Sequence, residues 1–593
     1  MRLTDEAGKA VFLVGAKLME NKEGRCIFAF ALALPGGFSG KNSTVGAPYY
    51  FIMKKHCLSV LVLALFSFQA FAQKLPRPKV VVGIVVDQMR WDYLYRYYDR
   101  YGGGGFKRLM NEGFNCQQTF INYLPSYTAP GHASAYTGSF PAIHGIAGND
   151  WVENATGRRW YCTEDTTVQG TEHAGKAGKM SPRNLLTTTI TDELRLATNM
   201  QSRVFAVALK DRGAILPGGH LANGAFWFDD ARGKFITSTY YMQSAPEWLN
   251  RFNDRKVPDS LLQLNWNLLY EPVTYTQSLP DENPYEGRYK GAQNVSFPHQ
   301  TSQYAGSNYG VIRSLPAGNV LTLAMARACM EAERIGMGAA TDFMCISFSS
   351  TDYIGHQFAP NSVEIEDTYL RLDQELAAFF TYLDNRYGKE NYLLFLTADH
   401  GGAHNANYLK DINIPAGMGS DVQMKNDLNA LFKGRAGISD PVLFLDNYQI
   451  FLNEKQLTGK PELRTQVKKE IMSWLRRQTS IAWVADLESG DLNMIPEPVK
   501  TMIINGYHPE RSGAVMFVPK PGWYNGYAPT GTTHGTWNPY DTRIPLLWYG
   551  WGIKKGQTNK RVYMTDIAAT LAALLHIQMP NGCVGEPVAE LVD

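Results

Sequence analysis

Lys79-Val-Val-Val-Gly-Ile-Val-Val-Asp87 is an unbroken, largely β-branched run closed by an acid, and the chain writes the same phrase again. Phe343-Met-Cys-Ile-Ser-Phe348 leads to Asp352, and Tyr392-Leu-Leu-Phe-Leu-Thr397 leads to Asp399-His400. A fourth run, Val204-Phe-Ala-Val-Ala-Leu209, leads to Lys210. Apolar runs without polar alternation are the pattern of strands buried on both faces, as in parallel sheets. Ligands of such sheets bind beyond the carboxyl ends of the strands. The charged residues that close these runs fall there.

Helical spacing fills the gaps between strands. Ser181-Pro182 predicts a helix start, continuing through Leu185, Leu186, Ile190 and Leu194. Ser362 opens a second, with Ile365, Leu372, Leu376, Phe379 and Leu383 on one face, and Thr565-Asp566 a third, with Ile567, Leu571, Leu574 and Leu575. Strands alternating with helices predict an α/β fold, a mainly parallel sheet between helix layers. The stretches near 213–310 and 405–533 are rich in Gly, Pro, Asn, Tyr and Trp and weakly periodic. They read as insertions that cap the site. No internal repeat or low-complexity tract is present.

Met53-Lys54-Lys55, the apolar run Leu58 to Phe68 and Ala70-Phe71-Ala72 have the three parts of a secretory signal, too short to span a bilayer. A signal at 53–72 predicts export to the periplasm or beyond. It also marks residues 1–52 as a non-native upstream extension and 73–593 as the catalytic domain. Cys57 lies inside the signal, so no lipid anchor and no stable membrane attachment are expected. Without residues 1–72 the charge balance moves from 57 − 55 = +2 to 49 − 51 = −2. A nearly neutral chain without a long basic run is not expected to dock nucleic acid. Cys116, Cys162, Cys329, Cys345 and Cys583 remain; their spacing pairs none of them, and Cys345 reads as a small buried residue. The sequence does not specify an oligomeric state; a monomer is the default.

Three motifs suggest a metal centre: Asp87, Asp352-x-x-x-His356, and Asp399-His400-Gly-Gly joined at a distance by His534. Zinc accepts carboxylate oxygen and imidazole nitrogen, and two zinc ions roughly 4 Å apart can grip both oxygens of an in-line displacement. Asp399 and His400 are neighbours, and only a turn past the strand end lets both face one cluster. Each motif alone reads equally well as a helix cap or turn; the combination carries the inference. Tyr123-Leu-Pro-Ser-Tyr-Thr128-Ala-Pro-Gly-His132 reads as a tight turn before a helix starting at Ala133-Ser134-Ala135. Its Thr128 hydroxyl would sit at a helix N-terminus, which favours anions, and zinc would make it a competent nucleophile. Ser126 and Ser134 compete for that role. Lys210 and Arg212, on one face if the strand continues, suit a phosphate dianion; alone, Lys-x-Arg reads as a solvated strand end.

These motifs, with His-Gly-Ile-Ala-Gly-Asn149-Asp-Trp, Lys210-Asp-Arg212-Gly-Ala and Thr-Thr-His534-Gly-Thr, resemble the alkaline phosphatase superfamily over essentially the whole mature chain. The resemblance is strongest to the phosphate-irrepressible (PafA-type) bacterial alkaline phosphatases. It implies two Zn2+ ions, one held by Asp352, His356 and His534, the other by Asp87, Asp399 and His400 and binding Thr128. It also implies that Asn149, Lys210 and Arg212 contact the phosphate oxygens. The expected function is hydrolysis of small-molecule phosphate monoesters through a phosphothreonine, with broad leaving-group tolerance. The alternatives are a phosphodiesterase or nucleotide pyrophosphatase on the same metal core, and a non-catalytic protein that binds zinc or phosphate. A sulfatase is disfavoured, because Thr128 cannot yield the formylglycine that enzymes of that kind use.

Overall fold

The computed structural model describes residues 76–592, except 173–174, 436–437, 491 and 527, together with four short strand segments before residue 30. The expected signal at 53–72 and the start at Met53 lie outside the described residues. The chain divides into two compact units, Met1–Pro76 and Arg77–Asp593. In the first, Leu3–Thr4 pairs antiparallel with Ala10–Val11, and Lys17–Glu20 with Cys26–Ala29.

A ten-stranded sheet organises the second unit. Its strands are β1 (Val80–Val86), β2 (Phe114–Phe120), β3 (Val204–Ala208), β4 (Gly224–Asp229), β5 (Lys234–Ile236), β6 (Asp342–Phe348), β7 (Tyr392–Thr397), β8 (Arg543–Ile544), β9 (Leu546–Gly550) and β10 (Gly556–Tyr563). Across the sheet the order is β5-β4-β3-β6-β1-β7-β9-β2-β8, with β10 beside β2. The five strands from β4 to β7 run parallel; β9 is antiparallel to both its neighbours. Every residue of β1, β3, β6 and β7 is buried, as their unbroken apolar runs require. Gly83 is forced at the centre of β1, where a Cβ would stand 2.3 Å from the Tyr136 hydroxyl and 2.7 Å from the Phe395 ring. Each fully buried Val, Ile, Leu or Phe contributes about 1.5–3 kcal/mol, a reserve that offsets the cost of charges buried at one edge.

Register decides where those charges emerge. Val86 pairs with Phe348, Val85 with Thr397 and Ser347 with Ala208, so the four strands end level. Lys210, Asp352, Asp87 and Asp399 therefore leave the sheet from four adjacent strands at its carboxyl edge.

The helices that matter are α1 (Thr128–Thr137), α2 (Ile190–Ala197), α3 (Asp211–Gly218), α4 (Ser350–Phe358), α5 (Val363–Tyr387) and α6 (Asp566–Leu575). α5 has the expected Ser362 cap, whose side chain accepts the Ile365 N–H, and its predicted apolar face is buried. α6 begins where Thr565-Asp566 predicts. Three readings are corrected. The helix expected from Ser181 starts at Ile190, because Thr189 and Asp192 form a reciprocal capping box there. The helix after the Pro-Gly turn begins at Thr128 itself, since Pro130 fits a first turn that lacks N–H partners. Lys210 and Arg212 do not lie on a strand: β3 stops at Ala208, Lys210 is the N-cap of α3 and Arg212 lies in its first turn.

The two weakly periodic stretches are also more regular than their composition suggests. β4 and β5 fall inside 213–310 and extend the main sheet. Within 405–533, Val442–Asp446, Gln449–Leu452, Val515–Pro519 and Ile481–Asp486 form a separate antiparallel sheet in that order. It has its own apolar core, including Phe432, Ile471, Leu475, Ile503 and Phe517. Among the described residues the five cysteines are unpaired, and no helix is long and apolar enough to cross a membrane.

Candidate metal centre

Asp87, Asp352, Asp399, His400 and His534 are all at most 3 % exposed, and the sheet core alone would make such acids costly. What offsets the cost is their convergence. Two groups have ligand atoms mutually within 4.8 Å: Asp352, His356 and His534, and Asp87, Asp352 and His400. The Asp352-x-x-x-His356 spacing is one turn of α4, which places both side chains on one face, with His356 Nε2 3.1 Å from Asp352 Oδ1. His534 Nε2 lies 3.6 Å from the same oxygen. His400 Nε2 lies 3.5 Å from both Asp87 Oδ1 and Asp399 Oδ2.

The three histidines share a hydrogen-bonding logic. Each turns Nδ1 to a main-chain carbonyl: His356 to Thr532 (2.8 Å), His400 to Gly401 (2.9 Å) and His534 to Ser126 (3.0 Å). A carbonyl only accepts, so Nδ1 carries the proton and donates it, and in the neutral ring Nε2 presents a lone pair; at His356 burial is outweighed by the Asp352 charge, which raises that imidazole. Those lone pairs face the acids. Burial holds the His534 imidazole well below its usual range and His400 below it, which keeps both neutral. Burial pushes Asp352 up, yet His356, Lys210 and His534 outweigh it and hold that carboxyl well below the carboxylate range. At Asp87, burial and the Asp399 charge prevail over Lys210 and raise the carboxyl well above that range. Asp87 Oδ1 and Asp399 Oδ2 are buried without a hydrogen-bond partner. Bare carboxylate oxygens facing imidazole lone pairs are a donor set for a divalent cation, and the residues present fit one.

Thr128 stands at the same focus. Its Oγ1 is 3.3 Å from His400 Nε2 and 3.4 Å from Lys210 Nζ. The competing hydroxyls are engaged elsewhere: Ser126 donates to the Thr536 carbonyl, and Ser134 Oγ lies 3.0 Å from His144 Nε2. Lys210 Nζ sits between Asp87 and Asp352, 2.6 Å from each, and those two acids outweigh its burial to raise the amine. Arg212 shares a cavity of about 390 Å3 with Lys210, lined also by Tyr161, Arg313 and Tyr353. The Tyr161 hydroxyl accepts from Arg212 (3.0 Å) and donates to Asp211, fixing the guanidinium. Asn149 Oδ1 accepts the Ala129 N–H beside Thr128, which leaves the amide NH2 as a donor. All ten residues singled out in the sequence thus gather at one edge.

Sequence reasoning missed three supporting residues. Gln88 donates to two of the acids. His132 Nδ1 lies 2.9 Å from the Thr128 carbonyl and 3.3 Å from Asp399 Oδ2. Tyr161 is the third. His132 stands four residues after Thr128, a helical-turn spacing that was a usable signal; Gln88 and Tyr161 have none.

Residues 81–541 match the family model described as type I phosphodiesterase / nucleotide pyrophosphatase. The chain belongs to that family. Within the type I phosphodiesterase family its relatives include alkaline phosphatase PhoV of Synechococcus elongatus, 48% identical over 91% of this chain and 100% of the relative. Alkaline phosphatase PafA of Elizabethkingia meningoseptica is 46% identical over 91% of this chain and 99% of the relative. A crystal structure of wild-type alkaline phosphatase PafA superposes with a TM-score of 0.86 at 46% identity, covering 88% of this chain and 100% of that one. Fold and family agree with the resemblance drawn from the motifs.

Proposed function

We propose that this chain is an exported alkaline phosphatase, hydrolysing small phosphate monoesters with two zinc ions and Thr128 as nucleophile. The observation that carries the reading is the position of the Thr128 hydroxyl, between His400 and Lys210 and at the N-terminus of α1. Backbone N–H groups there favour an anionic phosphoryl group. The Thr128 oxygen bonds to phosphorus as the ester oxygen leaves with the alcohol; water then cleaves the phosphothreonine and releases phosphate. Zinc, held by Asp352, His356 and His534 on one side and by Asp87, Asp399 and His400 on the other, would supply Lewis-acid stabilisation of charge at the attacking and departing oxygens.

Lys210, Arg212 and the Asn149 amide offer two cations and one neutral donor to the non-bridging oxygens. That set suits a dianion; a diester carries one charge and a second substituent. Grip on the phosphate leaves the alcohol weakly specified, which supports broad leaving-group tolerance. The signal pattern at 53–72 supports export.

The test is a pair of rates, on a phosphate monoester and a matched diester, for the wild type and Lys210→Ala/Arg212→Ala. The monoester rate should exceed the diester rate and fall about 10²–10⁴-fold in the double variant, the loss expected of two charge-assisted hydrogen bonds. A diester preference indifferent to both substitutions would turn the reading to a phosphodiesterase.

A further inference from the structure

We propose that Gln88 is the positioning residue that joins the two ligand sets into one centre, dividing its donors between them. The proposal rests on the metal-centre reading above. Gln88 follows Asp87 directly at the end of β1, is 4 % exposed and has φ 61°, a left-handed conformation that a side chain rarely adopts. An extended residue would carry β1 onward past the site. The turn at Gln88 lets main chain and side chain of one residue face two different acids.

Its backbone N–H donates to Asp399 Oδ1 at 3.1 Å, and its Nε2 donates to Asp352 Oδ1 at 2.7 Å. The first bond, with the His400 N–H at 3.0 Å, occupies one Asp399 oxygen and leaves Oδ2 as the bare one. The second holds the oxygen on which His356 and His534 converge. Two glycines shape the seat of the amide. A Cβ at Gly355 would fall 1.9 Å from Gln88 Oε1, and the three atoms nearest to it all belong to Gln88; at Gly402 the Oε1 distance is 3.1 Å. Partners that orient metal ligands in this way are worth roughly ten- to hundredfold in affinity.

Gln88→Gly separates the two donors. It keeps the N–H to Asp399, suits the left-handed backbone and removes only the amide. Zinc bound per full-length chain, followed across graded chelator, should pass from two tightly held ions to one tight and one about ten- to hundredfold weaker, with no fall in the Tm of the metal-free protein. In a His356→Ala background, where the Asp352 set is already broken, Gln88→Gly should leave the remaining zinc unchanged. Gly355→Ala should reproduce the weakening by displacing the amide and add nothing to Gln88→Gly. Two zinc ions held as tightly in Gln88→Gly as in wild type would overturn the proposal. So would a Gly355→Ala effect that persists in full without the Gln88 amide. A wild-type chain that binds no zinc would instead overturn the metal centre itself.

Discussion

Asp342 and Asp399 are buried equally deeply, at opposite edges of one sheet, on strands that both flank β1. Asp342 opens β6, and both its oxygens are paired. Oδ1 accepts the Arg203 N–H at 2.7 Å; Oδ2 accepts the Gly336 N–H at 2.7 Å and faces the Arg203 guanidinium at 3.2 Å. Asp399, just past β7, uses Oδ1 twice and leaves Oδ2 without a hydrogen-bond partner, with His132 Nδ1 at 3.3 Å and His400 Nε2 at 3.5 Å near it; Asp87 Oδ1 likewise has no hydrogen-bond partner. The first acid ties strand ends together and needs nothing more. At the carboxyl edge the protein keeps ligand oxygens uncommitted at a depth where unpaired carboxylates are costly. On the proposed reading, the difference separates an acid held for the fold from one held for a cation.

That division puts the proposed reaction at the carboxyl edge, and Thr128→Ala should lower turnover by on the order of 10⁴-fold or more while zinc content stays that of the wild type. Chelation should abolish activity reversibly. At free zinc a thousandfold above Kd, the metal adds about 4 kcal/mol to stability, so thermal unfolding with and without chelator measures how much the bare oxygens depend on it.

Asp399→Asn sharpens the contrast further. The asparagine can still accept both main-chain N–H groups on Oδ1 and turns an NH2 toward the His400 lone pair; that NH2 also faces His132 Nδ1, a cost offset by the loss of a buried charge. Zinc affinity should fall more than about 100-fold while the metal-free Tm holds or rises. Asp342→Asn should do the reverse, costing about 1–3 kcal/mol in denaturant unfolding because an NH2 then opposes a donor, with kcat unchanged. A loss of zinc in Asp342→Asn, or of metal-free stability in Asp399→Asn, would break the comparison.

The sheet was legible because β1, β3, β6 and β7 are buried on both faces and their apolar runs are uninterrupted. The candidate ligands were legible for a related reason: a strand end followed by an acid is a local pattern. Where the reading failed, a local signal was outranked by another. Ser181-Pro182 looks like a helix start, but the Thr189-Asp192 capping box takes the helix. Lys210-x-Arg212 looks like a strand continuing, yet the chain turns into α3 at Lys210, so the two cations meet across a helix start. Gln88 was invisible because its role depends on two acids more than 260 positions away, Asp352 and Asp399, and on the space left by Gly355 and Gly402. The antiparallel sheet within 405–533 was hidden for the opposite reason. Its strands are short, Val442–Asp446 and Ile481–Asp486 are only part buried, and none has a long uninterrupted apolar run.

The most direct test of the central claim is to quench the wild-type enzyme in acid during turnover of a phosphate monoester and map covalent phosphate by peptide mass spectrometry. The account predicts phosphate on the Thr128 hydroxyl, absent from Thr128→Ala. Phosphate on Ser126 or Ser134, or turnover with no phosphorylated peptide, would contradict it.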